Sequence, residues 1–362
     1  MIAACSKSDP GKQEKPTEGS NAAGSAGSAT ATGSATGSAA ASGSGSGSAA
    51  SAETPRPPLP KFDIPGRLEA IGTHFDDSLA LATKSGADAA KAKCGDLEPL
   101  YQPFCSEGIA SAYLSKKGNA AKTFEATMAK IDPGFAPIDC QGIGFAIEDS
   151  PKVGATAKDL TSDTCRQSFW DGQGYYRALA GAGAQTTACR TEEGKAPDAD
   201  ACAKQQQAIV KADLVGGWCG EKKGKNPAPA GMDTSCAHGA GRAFVFMFNG
   251  EAKPALAACA GKTPQLVDAC VSGVGFVLTF LLPDRADVAF DTLGGLETRQ
   301  KAAFARGMGR ALSYWRHGDS KNLDNWLGSL SSTERKEAMQ LADVHDKCAT
   351  YFDLDKCEWQ PK

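Results

Sequence analysis

Cysteine is the residue type whose number and spacing in this sequence most directly predict chemistry. The chain has 13 cysteines, of which Cys5 stands near the N-terminus and the others lie downstream of it. Cys94 and Cys105 are 11 residues apart, and so are Cys259 and Cys270. An even number of downstream cysteines at a repeated spacing favours a set of disulfides. Disulfides in turn indicate an oxidising compartment.

A second observation supports pairing within a repeated unit. In the stretch that follows Cys270, the matching positions are Leu293 and Phe304, so both cysteines are absent together. Joint absence is expected of disulfide partners, because a lone cysteine would remain a free thiol. Spacing does not prove connectivity, but the same register gives one set of expected pairs. These are Cys94–Cys105, Cys189–Cys202, Cys219–Cys236, Cys259–Cys270 and Cys348–Cys357, and they leave Cys140–Cys165 as the remaining pair.

Metal binding is the alternative chemistry for these cysteines. Cys236-x-His238 and His345-x-x-Cys348 each place a thiol close to an imidazole in the sequence. Zinc sites usually contain cysteines paired as C-x-x-C, and the sequence has no such pair. We therefore expect disulfides and neither a metal nor a cofactor.

Catalytic motifs do not identify an active site. Ala260-Gly-Lys-Thr263 matches the end of a phosphate-binding loop, but Leu256 stands where that motif requires its first glycine. The sequence contains neither G-x-S-x-G nor H-E-x-x-H. An enzyme stays open as a hypothesis, and the sequence favours a binding protein over it.

The cysteines belong to a repeat whose anchor is a Gly-x-Gly pair. Gly239, Gly273 and Gly307 are each the first glycine of such a pair and are 34 residues apart. A fixed period of this length is typical of repeat architectures. A unit without the glycines is placed at Gln205, because Cys202 holds the usual cysteine position, and a faint eighth unit is placed at Leu341. The full series of anchors is Gly108, Gly142, Gly172, Gln205, Gly239, Gly273 and Gly307.

Each unit reads as a short helix followed by a long one. A short helix is expected after Pro254, and Thr263 with Pro264 provides the cap and first turn of the next helix. The Gly-x-Gly pair falls inside the long helix, where each glycine costs about 1 kcal/mol relative to alanine. We interpret that cost as a requirement for close helix approach. The predicted fold is all-α, an α/α-hairpin repeat solenoid of about seven to eight units of roughly 34 residues.

The N-terminal part of the chain has a different composition. Residues 19–52 contain no charged side chain and are almost entirely Gly, Ser, Ala and Thr. Such a segment buries no core and behaves as a flexible coil. We assign residues 5–60 to a disordered tether and residues 61–362 to the repeat domain.

The first residues carry a resemblance of their own. Ile2-Ala3-Ala4-Cys5 resembles the lipobox of bacterial lipoproteins, in which a signal peptidase cuts before the cysteine and its thiol is lipidated. The resemblance implies that residues 1–4 are the remnant of a signal peptide and that Cys5 is the lipid anchor. The charged and hydrophobic regions of a signal peptide are missing. Ser6, where inner-membrane lipoproteins carry Asp, implies an outer-membrane anchor facing the periplasm or the cell surface.

The repeats also carry a resemblance, which covers residues 88–357. Their period and their disulfide in each unit resemble tetratricopeptide and Sel-like α/α-hairpins, particularly secreted Sel-like proteins. The match is not in consensus, because Sel-like units follow Gly-x-Gly with a polar turn, whereas Phe-Val-Leu-Thr-Phe280 follows Gly275. Such families commonly serve as interaction scaffolds. The resemblance implies a scaffold for a protein, peptide or envelope polymer; the alternatives are a cell-wall-directed enzyme and a self-stacking structural protein.

Side chains three residues after the anchors are the candidate binding residues. Tyr175, Arg242 and Arg310 hold this position, which would align them in a row, and Trp170 and Trp315 lie nearby in sequence. The net charge of −3 includes no strong basic excess, so we expect no nucleic-acid partner. The longest apolar run, around residues 273–283, is shorter than the roughly 20 residues of a membrane span. It is therefore interpreted as a buried helix.

Overall fold

The computed structural model describes residues 64–98, 101–116, 120–131, 136–147, 151–182, 198–220, 226–248, 250–283, 285–318 and 320–347. These residues belong to one compact unit, Asp63–Lys362. The predicted tether, residues 5–60, lies outside them, as do Cys5, Cys189, Cys348 and Cys357. Within the described ranges the regular structure is entirely helical, which confirms the all-α prediction.

Eight helices pack side by side in chain order and form what we call the helix row. Each contacts the previous and the next member of the row, with one short helix or more between them in the chain. The row consists of α1 (Ile64–Ser85), α3 (Gln102–Ser115), α5 (Ala136–Ala146), α7 (Asp163–Ala182), α10 (Asp233–Met247), α12 (Pro264–Leu281), α14 (Thr298–Gly318) and α16 (Ser332–Asp346).

The helices between these members pack beside the row. Most of them contact the row helix before or after them, as expected for α/α-hairpins: α2 contacts α1 and α3, α11 contacts α10 and α12, and α13 contacts α12 and α14. These helices are α2 (Ala87–Gly95), α4 (Ala121–Ile131), α6 (Val153–Asp159), α8 (Ala199–Ala212), α9 (Leu214–Cys219), α11 (Ala252–Ala258), α13 (Ala286–Gly294) and α15 (Ser320–Gly328).

The two glycines of each pair face different neighbours in the helix row. A Cβ on Gly273, the first of its pair, would lie 2.0 Å from the carbonyl oxygen of His238 on the preceding row helix. A Cβ on Gly275, the second, would lie 2.3 Å from the carbonyl oxygen of Phe304 on the following helix. No side chain fits at such distances, so α12 touches both neighbours through its backbone. The same alternation occurs at Gly142 and Gly144, Gly172 and Gly174, Gly239 and Gly241, and Gly307 and Gly309.

The unit placed at Gln205 is absent from the helix row. Gln205 lies on α8, which packs against α11, while α7 and α10 are direct neighbours in the row. A Cβ on Gly174 of α7 would lie 1.8 Å from the carbonyl oxygen of Cys236 on α10, leaving no room for another helix. Helix α8 lacks the Gly-x-Gly pair through which α5, α7, α10, α12 and α14 each contact two neighbours at this distance. The spacing around Cys202 therefore does not predict a row helix.

The last unit is shifted from its predicted register. Gly309, the second glycine of its pair, approaches the carbonyl oxygen of Leu341. In other units that contact falls three residues before the anchor, as with Gly275 and Phe304. The anchor position of α16 is therefore Val344, not Leu341.

Disulfides join the described helices at the expected cysteines. Four of the six expected pairs are formed: Cys94–Cys105, Cys140–Cys165, Cys219–Cys236 and Cys259–Cys270, with Cα–Cα distances of 5.2–5.7 Å. Cys202 is also disulfide-bonded, and its expected partner lies outside the described residues. Each described bridge ends at a row helix, so it fixes the start of that helix to the chain that precedes it. Disulfides of this number fit an oxidising, extracytoplasmic environment.

Helix α12 is a core helix. By length and composition it would suit a membrane span, with mean hydropathy 1.5 over 18 residues, but 78% of it is buried. It lies between α10 and α14 in the row. It begins where the sequence predicts, with Thr263 at the N-cap and Pro264 at the first position, although the Thr263 side chain makes no capping hydrogen bond. Ser331 and Glu334 form a capping box at the start of α16.

Candidate functional site

Polar residues occupy one position of the helix row repeatedly, the position just before each anchor glycine. The position four residues later, which is three residues after the anchor, lies on the same helix face. The residues before the anchors and those three after them therefore run side by side along the row. Several of the preceding residues are buried despite their polarity. They are Glu107, Gln141, Asp171, His238 and Ser272.

The residues three positions after the anchors form a stacked line across successive row helices. Phe145 packs on Tyr175 with ring centroids 5.7 Å apart, and the Arg242 guanidinium lies 5.2 Å from the Tyr175 ring. Phe276 lies between two guanidinium groups, 5.8 Å from that of Arg242 and 4.7 Å from that of Arg310. The structure thus brings Tyr175, Arg242 and Arg310 into one line. All three are buried.

The two candidate tryptophans lie elsewhere in the packing. Trp170 packs edge-on against Phe169 and has the Arg177 guanidinium 5.5 Å from its ring. Trp315 stacks on Phe280 with centroids 6.0 Å apart. Both tryptophans are almost completely buried. They contribute to the core, and neither contacts the stacked line in the described contacts.

Asp171 is the centre of a hydrogen-bonded group. Its Oδ1 lies 2.9 Å from Nδ1 of His238, its Oδ2 lies 2.8 Å from Nη1 of Arg242, and Gln141 donates to Oδ2 from its amide. The carboxylate is completely buried. Burial alone would raise its pKa, but the charges of Arg242 and Arg310 and the hydrogen bond from His238 outweigh burial and lower the pKa to about 2. Asp171 is therefore ionised at neutral pH.

His238 is neutral in this surrounding. Burial, followed by the charge of Arg310, lowers its pKa to about 4. Its Nδ1 donates to Asp171, and Nη1 of Arg310 lies 3.3 Å from Nδ1 and 3.0 Å from Nε2, so the guanidinium lies against the face of the imidazole ring. His345 has a similarly lowered pKa of about 4, caused first by burial and then by Arg310.

Glu107 is the remaining ionisable member. It is 2% exposed, and burial raises its pKa to about 8, because the lowering effect of Arg242 is smaller than the burial effect and Asp171 adds to it. Glu107 is therefore mainly a neutral carboxylic acid at pH 7. Its Oε1 has no hydrogen-bond partner among the residues that the structure describes. We call Glu107, Gln141, Asp171, His238, Arg242 and Arg310 the polar cluster.

The helix row curls, which brings distant members of it together around the polar cluster. Phe104 of α3 packs edge-on against Phe246 of α10 with centroids 5.7 Å apart. The Tyr314 hydroxyl of α14 donates to Oε1 of Gln102 on α3 at 3.3 Å. Phe276 is only partly buried, so the stacked line is not sealed from solvent along its whole length. The cluster thus lies inside a curled row rather than on an open groove.

The sequence contains a signal for this cluster in the position of its residues rather than in a motif. His238 reads as an isolated histidine, and Asp171 and Glu107 read as scattered carboxylates. Their shared position before an anchor glycine relates all of them. Among the described residues, no group of three or more His, Cys, Asp or Glu is arranged to hold a metal ion.

Comparisons with known proteins give no match: no protein-family model, no curated protein and no solved structure is similar to this chain. Function must therefore be inferred from the residues and contacts described above.

Proposed function

We propose that this protein is a lipid-anchored component of the cell envelope whose stapled helical repeats act as an interaction scaffold. Its partner would be a protein, a peptide or an envelope polymer. The lipobox-like Ile2-Ala3-Ala4-Cys5 and the low-complexity residues 19–52 support an anchor followed by a tether. The disulfides support export to an oxidising compartment. The repeats resemble Sel-like scaffolds in period and in their staples.

The observation that carries the scaffold role is the backbone-to-backbone packing of the helix row. A contact such as Gly273 against His238 fixes the spacing of two helices without a flexible side chain between them. The disulfides then hold the intervening short helices and loops. A surface that is ordered before binding loses less conformational entropy when a partner binds. Because Tyr175, Arg242 and Arg310 are buried, a macromolecular partner would contact outward-facing residues instead.

The anchor is tested on the protein isolated from the envelope of its native cells. Mass spectrometry of the N-terminal peptide should find Cys5 as the first residue, carrying a diacylglyceryl group. A Cys5→Ser variant should leave the membrane fraction, because it lacks the thiol that accepts the lipid. An unmodified Cys5 within a longer N-terminal peptide would contradict the anchor.

The scaffold role is tested by cross-linking in intact cells followed by capture of the full-length protein. The control is an unrelated folded protein that carries residues 5–60 as its tether, which matches location and reach. Partners enriched with the repeat domain and absent from the control would support the proposal. The same set of captured proteins in both samples would contradict it. Sedimentation that depends on concentration would instead favour self-stacking.

An envelope enzyme is the second candidate, and one observation favours it. Glu107 and Asp171 are close, and their pKa values are displaced in opposite directions, to about 8 and about 2. Carboxyl pairs whose pKa values are pushed apart are typical of acid–base catalysis. Purified cell-wall glycan should then release fragments with the wild-type protein and not with Glu107→Gln. An absence of fragments with the wild-type protein would remove this candidate.

A further inference from the structure

Arg242 uses only part of its guanidinium in the protein. Nη1 donates to Asp171 at 2.8 Å, and the side chain is 4% exposed. Nε has no hydrogen-bond partner among the described residues, although it is buried. In a guanidinium, the Nε–H and one Nη2–H point in the same direction and form the edge that binds two oxygens of a carboxylate or a phosphate. This edge of Arg242 is turned away from Asp171.

Glu107 presents a second unsatisfied group in the same place. Its Oε1 is buried and has no partner in the described part of the chain. The Glu107 carboxyl and the Arg242 guanidinium act on each other electrostatically, yet no direct hydrogen bond joins them. Two buried polar side chains that interact electrostatically and leave hydrogen bonds unmade indicate a missing third group. A protonated Glu107 can donate to that group.

The charges around this region favour an anion. The neutral His238 experiences the charges of two guanidinium groups and one carboxylate. The guanidinium groups belong to Arg242 and Arg310, and the carboxylate belongs to Asp171. Asp171 already receives hydrogen bonds from His238, Arg242 and Gln141. Phe276, which lies against both guanidinium groups, is partly exposed and marks a side from which a small molecule can enter.

We propose that the polar cluster is a binding site for a small oxyanion, the carboxylate or phosphate group of a small molecule. The Nε/Nη2 edge of Arg242 donates two hydrogen bonds to it, and the Glu107 hydroxyl donates a third. This site is separate from the scaffold role, because it lies inside the helix row and takes a small ligand. A failure to find a macromolecular partner would not contradict the oxyanion site, and a failure to bind oxyanions would not contradict the scaffold role.

The first experiment measures thermal unfolding of the full chain, with its disulfides intact, at constant pH and ionic strength. Sodium phosphate and sodium acetate are titrated separately against sodium chloride. We expect Tm to rise with one or both oxyanions and to saturate, as ligand binding to the folded state requires. A response to phosphate alone assigns a tetrahedral group, and a response to acetate alone assigns a carboxylate. Equal Tm in all three salts overturns the proposal.

Variants then locate the effect. Arg242→Lys keeps the positive charge but lacks the two-donor edge, so the dissociation constant for the oxyanion should rise at least about tenfold. Arg299→Lys, in an exposed pair with Asp268, is the matched control and should respond like the wild type. An unchanged response in Arg242→Lys overturns the assignment to this edge.

A crystal of the wild-type protein provides a second test that does not require Arg242→Lys to fold. The crystal is soaked in selenate, whose selenium scatters anomalously. An anomalous peak within hydrogen-bonding distance of Arg242 Nε supports the site. Density for water alone at that position, together with a Tm that does not respond to oxyanions, overturns it.

Discussion

Gly273 and His238 are related through the backbone: a Cβ on Gly273 would lie 2.0 Å from the His238 carbonyl oxygen. The side chain of His238 is also a member of the polar cluster, through its contact with Asp171. The anchor glycine and the cluster are therefore two consequences of one arrangement. The glycine of one row helix presses on the residue just before the glycine of the previous helix, and that residue faces the interior of the row.

Gly273→Ala should destabilise the protein. Alanine is the better helix former by about 1 kcal/mol, but its methyl group cannot occupy a position 2.0 Å from a carbonyl oxygen. Helices α10 and α12 must separate, and overpacking of this kind costs about 1–3 kcal/mol or more. The measurement is urea-induced unfolding followed by circular dichroism.

Gly294→Ala is the control for that experiment. Gly294 ends α13, and a Cβ there would meet nothing within 4 Å. The substitution should leave the free energy of unfolding unchanged or raise it by up to about 1 kcal/mol. Equal effects of the two substitutions would show that backbone contact does not hold the helix row.

Asp171→Asn should be strongly destabilising. It removes the carboxylate that pairs with the buried Arg242 guanidinium, and breaking a buried pair in this way costs about 3–5 kcal/mol. Asp268→Asn removes the partner of Arg299, whose side chain is 53% exposed, and should cost at most about 1 kcal/mol. Calorimetric unfolding of both variants provides the comparison. A small effect of Asp171→Asn would mean that the cluster contributes little to stability.

Stability should depend on pH through Glu107. Its pKa is raised from 4.5 to about 8 by burial, so the folded state favours the protonated acid. The stabilisation is fully present below pH 4.5 and is lost as pH rises through about 8. The free energy of unfolding of the wild type relative to Glu107→Gln should therefore fall across this window and level off above it. A constant difference between the two proteins from pH 5 to pH 8 would contradict a buried, protonated Glu107.

Removal of one disulfide should lower the free energy of unfolding by an amount that chain entropy predicts. Cys259 and Cys270 close a loop with a sequence separation of 11, for which chain entropy predicts a loss of about 3 kcal/mol. Cys259→Ala combined with Cys270→Ala should show this loss in urea. Under dithiothreitol the difference from the wild type should shrink, because the wild type then loses the same bridge. No difference in oxidising buffer would indicate that the bridge does not constrain the unfolded chain.

The sequence predicts the helices and their disulfides well because both depend on residues close together in the chain. The spacing of Cys259 and Cys270, the Gly-x-Gly pair and the cap at Thr263 each depend on a few neighbouring residues. Gln205 shows where the period misleads: its cysteine spacing continues the series, but it has no glycine pair and its helix α8 lies outside the helix row. Period alone does not distinguish a helix in the row from one beside it.

The polar cluster is harder to predict because it depends on how the row curls. Asp171 and His238 are 67 residues apart, and Tyr314 and Gln102 are 212 residues apart. A regular repeat specifies contacts between neighbours only, whereas these pairs depend on the accumulated curvature of several helices. The recurrence of polar residues before the anchor glycines marks the face that is buried, but not which of its members meet.

The central claim is that the cysteines pair within the repeat register of an exported helix row. Mass spectrometry of peptides from the non-reduced, full-length protein tests it most directly. We predict the links Cys94–Cys105, Cys140–Cys165, Cys219–Cys236 and Cys259–Cys270, with no free thiol among these cysteines. Free thiols at these positions, or links between distant units, would contradict both the register and the oxidising compartment.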